Sequence, residues 1–302
     1  MVNLKLDNAC LKDFSPMVLE RVNEFMRSYL DAHDNDAPNL KEAMSYGLLL
    51  GGKRARPLLV YATGLALGQK VEALDYLAAA VECIHAYSLI HDDMPEMDGD
   101  ELRRGHPTVH VKFGQDTALL AGDALQTLAF ELISDPKSGL DAKDIGPLCH
   151  ALAKGAGYSG MCGGQDLDLK AEHKSLNIDE LKLLHSKKTG ALILTAVRLG
   201  AIAGHADEKT QKILEDYARS VGLAFQVWDD VLDVIGDTKV MGKTQGSDEN
   251  LDKSTYPKLL GLNEAKIYAR KCVDNAIGAL TSLNFNTQIL SEFANFCILR
   301  DH

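Results

Sequence analysis

The helical period runs through almost the whole chain. Apolar residues recur three and four positions apart, and no stretch alternates over a convincing strand length. Ser15-Pro16 predicts an N-cap with proline at the first helical position, followed by an apolar face of Val18, Val22, Phe25, Met26 and Tyr29. Further helices are expected over roughly 39–50, 54–68, 71–94, 116–134, 144–170, 178–204, 207–236, 263–282 and 286–299. Their separators are short: Asp135-Pro136, Leu176-Asn177 and Gly204 to Asp207. No Ser/Gly/Pro-rich linker divides the 302 residues. The expectation is therefore an all-α fold, one large helical domain over 1–302, and βαβ architecture is disfavoured. An apolar fraction of 46% belongs to a packed globular protein and rules out disorder.

Charge narrows the partners. With 32 Lys+Arg against 43 Asp+Glu the net charge is −11, which repels nucleic acid and anionic membrane surfaces. It does not exclude a small anionic substrate, provided basic residues or a metal invert the sign locally. Met1 to Asp13 lacks a secretory pattern. The apolar run Gly190 to Gly204 is interrupted by Arg198 and is shorter than the ~20 residues of a spanning helix, so it reads as a buried core helix. Cys10, Cys83, Cys149, Cys162, Cys272 and Cys297 contain no C-x-x-C pair, which points to reduced thiols. A cytoplasmic protein without membrane insertion is expected.

Two acidic clusters carry the chemistry. The helix over 71–94 is apolar until it ends in His91-Asp92-Asp93-Met94-Pro95-Glu96-Met97-Asp98. Carboxylates there face the negative end of the helix dipole, an unfavourable placement unless a cation sits beside them. Pro95 disfavours helical geometry at Met94, so the chain should leave the helix and bring Asp98 back toward Asp92 from a turn. The second cluster is Gln226-Val227-Trp228-Asp229-Asp230-Val231-Leu232-Asp233, in which Asp229 and Asp233 share one helical face. Ionised carboxylates on so apolar a helix demand a metal or paired cations. All-oxygen ligands with room for water suit magnesium, which bridges carboxylates to substrate phosphates.

Basic residues recur in sets able to neutralise phosphate: Lys53 and Arg56, Arg103-Arg104, Lys187-Lys188-Thr189, Lys243 and Lys253. Gly47 to Lys53 matches the start of a P-loop, but Arg54 stands where Ser or Thr would hold magnesium, and no strand precedes it. A nucleotide site is rejected. What survives is a Gly-rich turn presenting Lys53 and Arg56 to an anion.

GGKRARP, YSLIHDDMPEMDGDELRRGHPTVH, GDALQTLAF, GGQDLDL, KTGAL, FQVWDDVLD and GKTQGSDENLDKSTYP together resemble the trans-isoprenyl diphosphate synthases, most closely the bacterial farnesyl diphosphate type, from about Gly51 to Pro257. The resemblance implies an all-α single large helical bundle around a deep central cavity, and a homodimer that condenses isopentenyl diphosphate with dimethylallyl and geranyl diphosphates, using Mg2+, three ions per active site. Asp92, Asp98 and Asp229 would bind the metal, with Asp93, Asp230 and Asp233 in support. Lys53, Arg56, His85 and Arg104 match the isopentenyl diphosphate site. Arg103, Lys188, Thr189, Gln226, Lys243 and Lys253 match the allylic one. Asp168 is expected to orient an arginine, and Gln165 to do the same or touch substrate.

Chain length is read from Tyr87 and Ser88. Tyr87 lies five residues before Asp92, about 7–8 Å down the helix, where its ring would form a floor. In bacterial short-chain enzymes of the family the two-residue insertion within the first motif accompanies a short product, so farnesyl diphosphate is expected over the geranylgeranyl or geranyl product. The resemblance also raises closure of the last residues, around Arg300, over isopentenyl diphosphate. A terpene cyclase would not need the second anion site. A non-catalytic regulatory subunit typically loses one aspartate motif, and a plain scaffold leaves both acid clusters unexplained.

Overall fold

The computed structural model describes residues 2–6, 9–171, 174–235 and 254–300. Helices dominate it. In chain order they are α1 (Leu11–Asp31), α2 (Pro38–Leu49), α3 (Ala55–Ala66), α4 (Val71–Asp92), α5 (Val109–Phe113), α6 (Gln115–Ser134) and α7 (Ala142–Ala156). There follow α8 (Met161–Ala171), α9 (Ile178–Lys188), α10 (Gly190–Ala203), α11 (Glu208–Ile235), α12 (Tyr256–Leu260), α13 (Leu262–Leu280) and α14 (Gln288–Leu299). Among the described residues the one sheet is a hairpin of β1 (Leu102–Arg103) and β2 (His106–Pro107). Arg104 and Gly105, both at positive φ, make its turn.

Burial explains the arrangement. α4 is buried on nearly every face, from Val71 to Ile90, because α3, α6 and α10 pack around it. By length and composition α4 could cross a membrane, yet most of it is enclosed by protein. α10 is equally apolar and is buried against α3, α7 and α11, as the Gly190 to Gly204 run predicts. α11 is amphipathic and lays Leu214, Ala218, Val221 and Val231 on the core. One contiguous apolar cluster extends from Leu4 to Ile298.

Three boundaries differ from those predicted. α1 begins at Leu11, not Ser15, and Pro16 sits inside it near the N-terminus, where a missing N–H costs little. The helix expected over 144–170 is two, α7 and α8, broken at Gly157–Gly160. A Cβ on Gly160 would lie 2.0 Å from the Gly155 carbonyl oxygen, so this tight turn excludes side chains. The helix expected over 178–204 is also two, meeting at Thr189. That junction sits where a Cβ on Gly164 would lie 2.1 Å from the Lys188 nitrogen. The second glycine of the Gly163-Gly164 pair thus lets α8 lie directly against the end of α9.

Candidate active site

α4 stops at Asp92, and the turn behind it does what Pro95 predicts. The Asp98 N–H donates to the Asp92 carbonyl at 2.9 Å, and Gly99, at positive φ, donates to Met94 at 3.0 Å. The two aspartates, six positions apart in sequence, are thereby neighbours. Burial pushes the Asp92 carboxyl up to about 6; Asp98 and Asp93 add to the rise, while Lys188 and Arg103 oppose it. Ionisation of Asp92 is thus held back mainly by desolvation, which a bound cation would offset. An all-oxygen donor set of this kind fits magnesium.

Asp93 is committed elsewhere. It is buried and accepts from Arg103 Nε at 2.9 and 2.8 Å and from Arg103 Nη2 at 2.6 Å. This bidentate pair fastens the hairpin to the end of α4.

The second cluster lies on α11. Asp229 pairs with Arg300 at 2.7 Å; the guanidinium also stacks 3.8 Å from the Phe225 ring centroid and donates to the Phe225 and Cys297 carbonyls, each at 3.0 Å. Asp230 is buried, accepting from Gln226 Nε2 at 3.2 Å and from the Tyr256 N–H at 3.0 Å. It ties α11 to the start of α12. Asp233, one turn on, is half-buried.

The end of α9 sits between the clusters. Lys188 Nζ donates to Asp168 at 2.5 Å. Burial pulls the Lys188 ammonium down, but Asp168, with Asp92 and Asp98, outweighs it and raises it. The sequence expectation for Asp168 is an arginine; here it holds Lys188, because the Gly164 contact sets α8 against Lys188 itself. Thr189 donates to Gln226 at 2.9 Å, joining α9 to α11. Gln165 buries an Nε2 with no hydrogen-bond partner among the described residues.

Beyond Asp229 opens a cavity of about 1290 Å³. Gly52, Lys53, Arg56, His85, Arg104 and Asp229 supply its polar wall, and Leu58, Leu89, Phe225, Phe293 and Phe296 its apolar wall. On α4 the lining reaches Leu89, one turn short of Asp92. Desolvation lowers both Lys53 and Arg56; Arg300 lowers Lys53 further, whereas Asp229 counters in each case. Arg56 buries an Nε without a partner among the described residues, a donor directed by its surroundings toward an anion. Arg104 donates to the Gly51 carbonyl and lies so close over Gly52 that a Cβ there would meet its guanidinium at 2.8 Å. His85 is held well below its ordinary value by burial and then by Arg56 and Arg104, so it is neutral.

Sequence alone assigns no role to Arg54, which proves to be the support of this wall. Left-handed at φ 50°, it buries its guanidinium against Glu82 at 2.6 Å, Leu48 O at 2.8 Å and Asn23 at 3.0 Å. Lys53, Arg54 and Arg56 all line the cavity, and Arg54 is the one whose guanidinium is tied to Glu82, Leu48 O and Asn23. Gly47, the P-loop-like glycine, lies in α2 where a Cβ would meet Ile90 at 2.6 Å, so it serves helix packing. Lys243 and Lys253 lie outside the described residues. The Asp141, Asp144 and His205 side chains also cluster, at the opposite end of α10 from Thr189, where the imidazole Nε2 lies 3.2 and 2.8 Å from the two carboxylates.

An all-helical bundle with two aspartate-bearing helices beside a basic cavity defines the class of isoprenoid-type synthases. Residues 37–288 match the family model for polyprenyl synthetase, and the chain belongs to that family. It is 50% identical to farnesyl diphosphate synthase of Haemophilus influenzae over 91% of this chain and 95% of that one. It is 54% identical to farnesyl diphosphate synthase of Escherichia coli over 86% of this chain and 89% of that one. Among solved structures, an FPP/GFPP synthase from Zymomonas mobilis superposes with a TM-score of 0.85 at 38% identity, covering 95% of this chain and 98% of that one. A geranyltransferase from Helicobacter pylori, complexed with magnesium and isoprenyl diphosphate, gives a TM-score of 0.80 at 36% identity over 94% and 96%.

Proposed function

We propose that the protein condenses isopentenyl diphosphate with dimethylallyl and then geranyl diphosphate, releasing farnesyl diphosphate. The observation that carries this reading is a cavity walled by Lys53, Arg56, Arg104 and neutral His85 in a protein of net charge −11. That many cations converging on one space, next to two carboxylate clusters, is an anion receptor for two diphosphates. The similarity to two bacterial farnesyl diphosphate synthases supports the same reading.

Asp92, Asp98 and Asp229 would hold three magnesium ions, with Asp93, Asp230 and Asp233 behind them. When bound, these ions supply the positive charge that turns the allylic diphosphate into a leaving group. Lys188, fixed by Asp168, points its ammonium at the charge developing on that diphosphate, beside Thr189 and Gln226. Arg103 stabilises Asp93 and the hairpin; Arg104, on the same turn, faces the isopentenyl diphosphate with Lys53 and Arg56. His85, neutral, donates one N–H without adding charge. Leu58, Leu89 and Phe225 exclude water from the allylic cation. The isopentenyl double bond attacks that cation, and the departing pyrophosphate takes the proton.

Tyr87, buried on α4 with Ser88 beside it, is the proposed floor that stops growth at fifteen carbons. We take the chain as one domain because a single apolar cluster spans it. Exposed Leu119 and Leu120 on α6 and Val111 on α5 support a homodimer, and the protein is placed in the cytoplasm. Incubating the protein with isopentenyl and dimethylallyl diphosphates, with and without magnesium, and sizing the released prenyl chain tests the reading. No elongation under any divalent metal overturns the enzyme. A twenty-carbon main product overturns the Tyr87 floor alone.

A further inference from the structure

Tyr87 is held from three sides. Its ring meets the His91 ring edge-on, with centroids 5.8 Å apart and planes at 76°. Its hydroxyl lies 3.3 Å from Cys162 Sγ on α8. The side chain of Gln126 on α6 lies beside the same hydroxyl. His91 is itself anchored, since its Nε2 donates to the Leu119 carbonyl at 3.0 Å. Room for that ring exists because position 122 is glycine; a Cβ there would lie 2.0 Å from His91 Nε2. Gly122 and Gln126 are four apart on α6 and therefore share the face turned to Tyr87.

We infer that Gln126 and Cys162, with His91 seated against Gly122, determine product length by fixing the Tyr87 ring across the path of the growing chain. A tyrosine side chain free to change rotamer would be a gate that a longer chain could push aside. A hydrogen bond to the hydroxyl from α8, the Gln126 side chain of α6 beside it, and an edge contact on the ring convert it into a wall. The inference rests on the proposed role of Tyr87 as the floor and names positioning residues that act through it. Nothing in the motif spelling of GDALQTLAF or GMCGGQ marks them for this purpose.

The experiment sizes the products formed from isopentenyl and geranyl diphosphates with magnesium by Gln126→Leu, Cys162→Ala, Cys162→Ser, Gly122→Ala and Tyr87→Ala. Gln126 and Cys162 are exposed on their helices, so these replacements leave the core intact. Each of Gln126→Leu and Cys162→Ala is expected to raise the twenty-carbon to fifteen-carbon ratio about five-fold, the worth of one net hydrogen bond. Cys162→Ser, which keeps a hydrogen-bonding group, should return the wild-type ratio. Gly122→Ala, which evicts His91, should raise it as well. If Tyr87→Ala lengthens the product while Gln126→Leu and Cys162→Ala keep the wild-type ratio, the positioning inference is overturned and the floor stands. If Tyr87→Ala leaves the ratio unchanged, the floor itself fails, and the inference fails with it.

Discussion

The two aspartate regions look alike in sequence and differ in how their charge is handled. At the end of α4, Asp92 and Asp98 are drawn together by a backbone hydrogen bond, and the Asp92 carboxyl is pushed up to about 6. On α11 the chain already supplies partners: Arg300 for Asp229, Gln226 and the Tyr256 amide for Asp230. In the first region burial holds back the ionisation of Asp92, and a bound cation would offset that desolvation. In the second Asp229 already holds a guanidinium, so a metal arriving there must compete with an arginine.

The largest test of this difference is Asp92→Asn. It should lower condensation by about 10²–10³-fold, the scale seen when a charge-stabilising group is lost, and Asp229→Asn should cost less. A reversed order in steady-state rates would break the comparison. Asp93→Asn comes next. It leaves Arg103 without its buried counter-charge, which should cost about 3 kcal/mol in urea unfolding. Asp230→Asn, which weakens the hydrogen bonds from Gln226 Nε2 and the Tyr256 N–H, should cost about 1–2 kcal/mol.

The pH dependence sharpens the same contrast. A folded-state value for Asp92 near 6 lies above its unfolded value of 3.8, so the native state binds the extra proton between the two. Without metal, this group therefore makes the protein more stable as pH falls from 6 toward 4, and less stable above 6. Magnesium binding runs the other way and should weaken as pH drops through about 6, measurable by calorimetric titration across pH 5–7.5. The smallest effect is that of Arg300→Gln. Removing the resident cation from Asp229 should tighten magnesium binding about two- to five-fold, the worth of a partly exposed ion pair. Unchanged or weaker binding would show that Arg300 orients Asp229 instead of competing for it.

Much of this was legible in the residues. Helical periodicity marks α4, α6, α10 and α11, because each buries a face or its whole girth. Pro95 announces the turn that returns Asp98 to Asp92. What periodicity does not carry is partner choice. The motif assigns Arg103 to substrate, and spacing does not reveal that its Nε and Nη2 bind Asp93. The hairpin Leu102–Pro107 is too short to alternate. The break between α7 and α8 depends on clearances around Gly160 that only the packed backbone defines. Arg300 reaches Asp229 from the far end of the chain, and spacing along the sequence cannot reveal such a contact.

The enclosure of α4 has a consequence for biosynthesis. Its 22 residues are apolar enough, by length and composition, to suit a bilayer, and α6 and α10 are part of what hides them. α10 is completed about a hundred residues after α4 leaves the ribosome. At ~5–20 residues per second that is roughly 5–20 s during which an apolar helix long enough to suit a bilayer lacks its final cover. The helix that anchors the first aspartate region is therefore also the segment a nascent chain most needs to shield, and the interval before α10 arrives is the one in which holding chaperones have the most surface to grip.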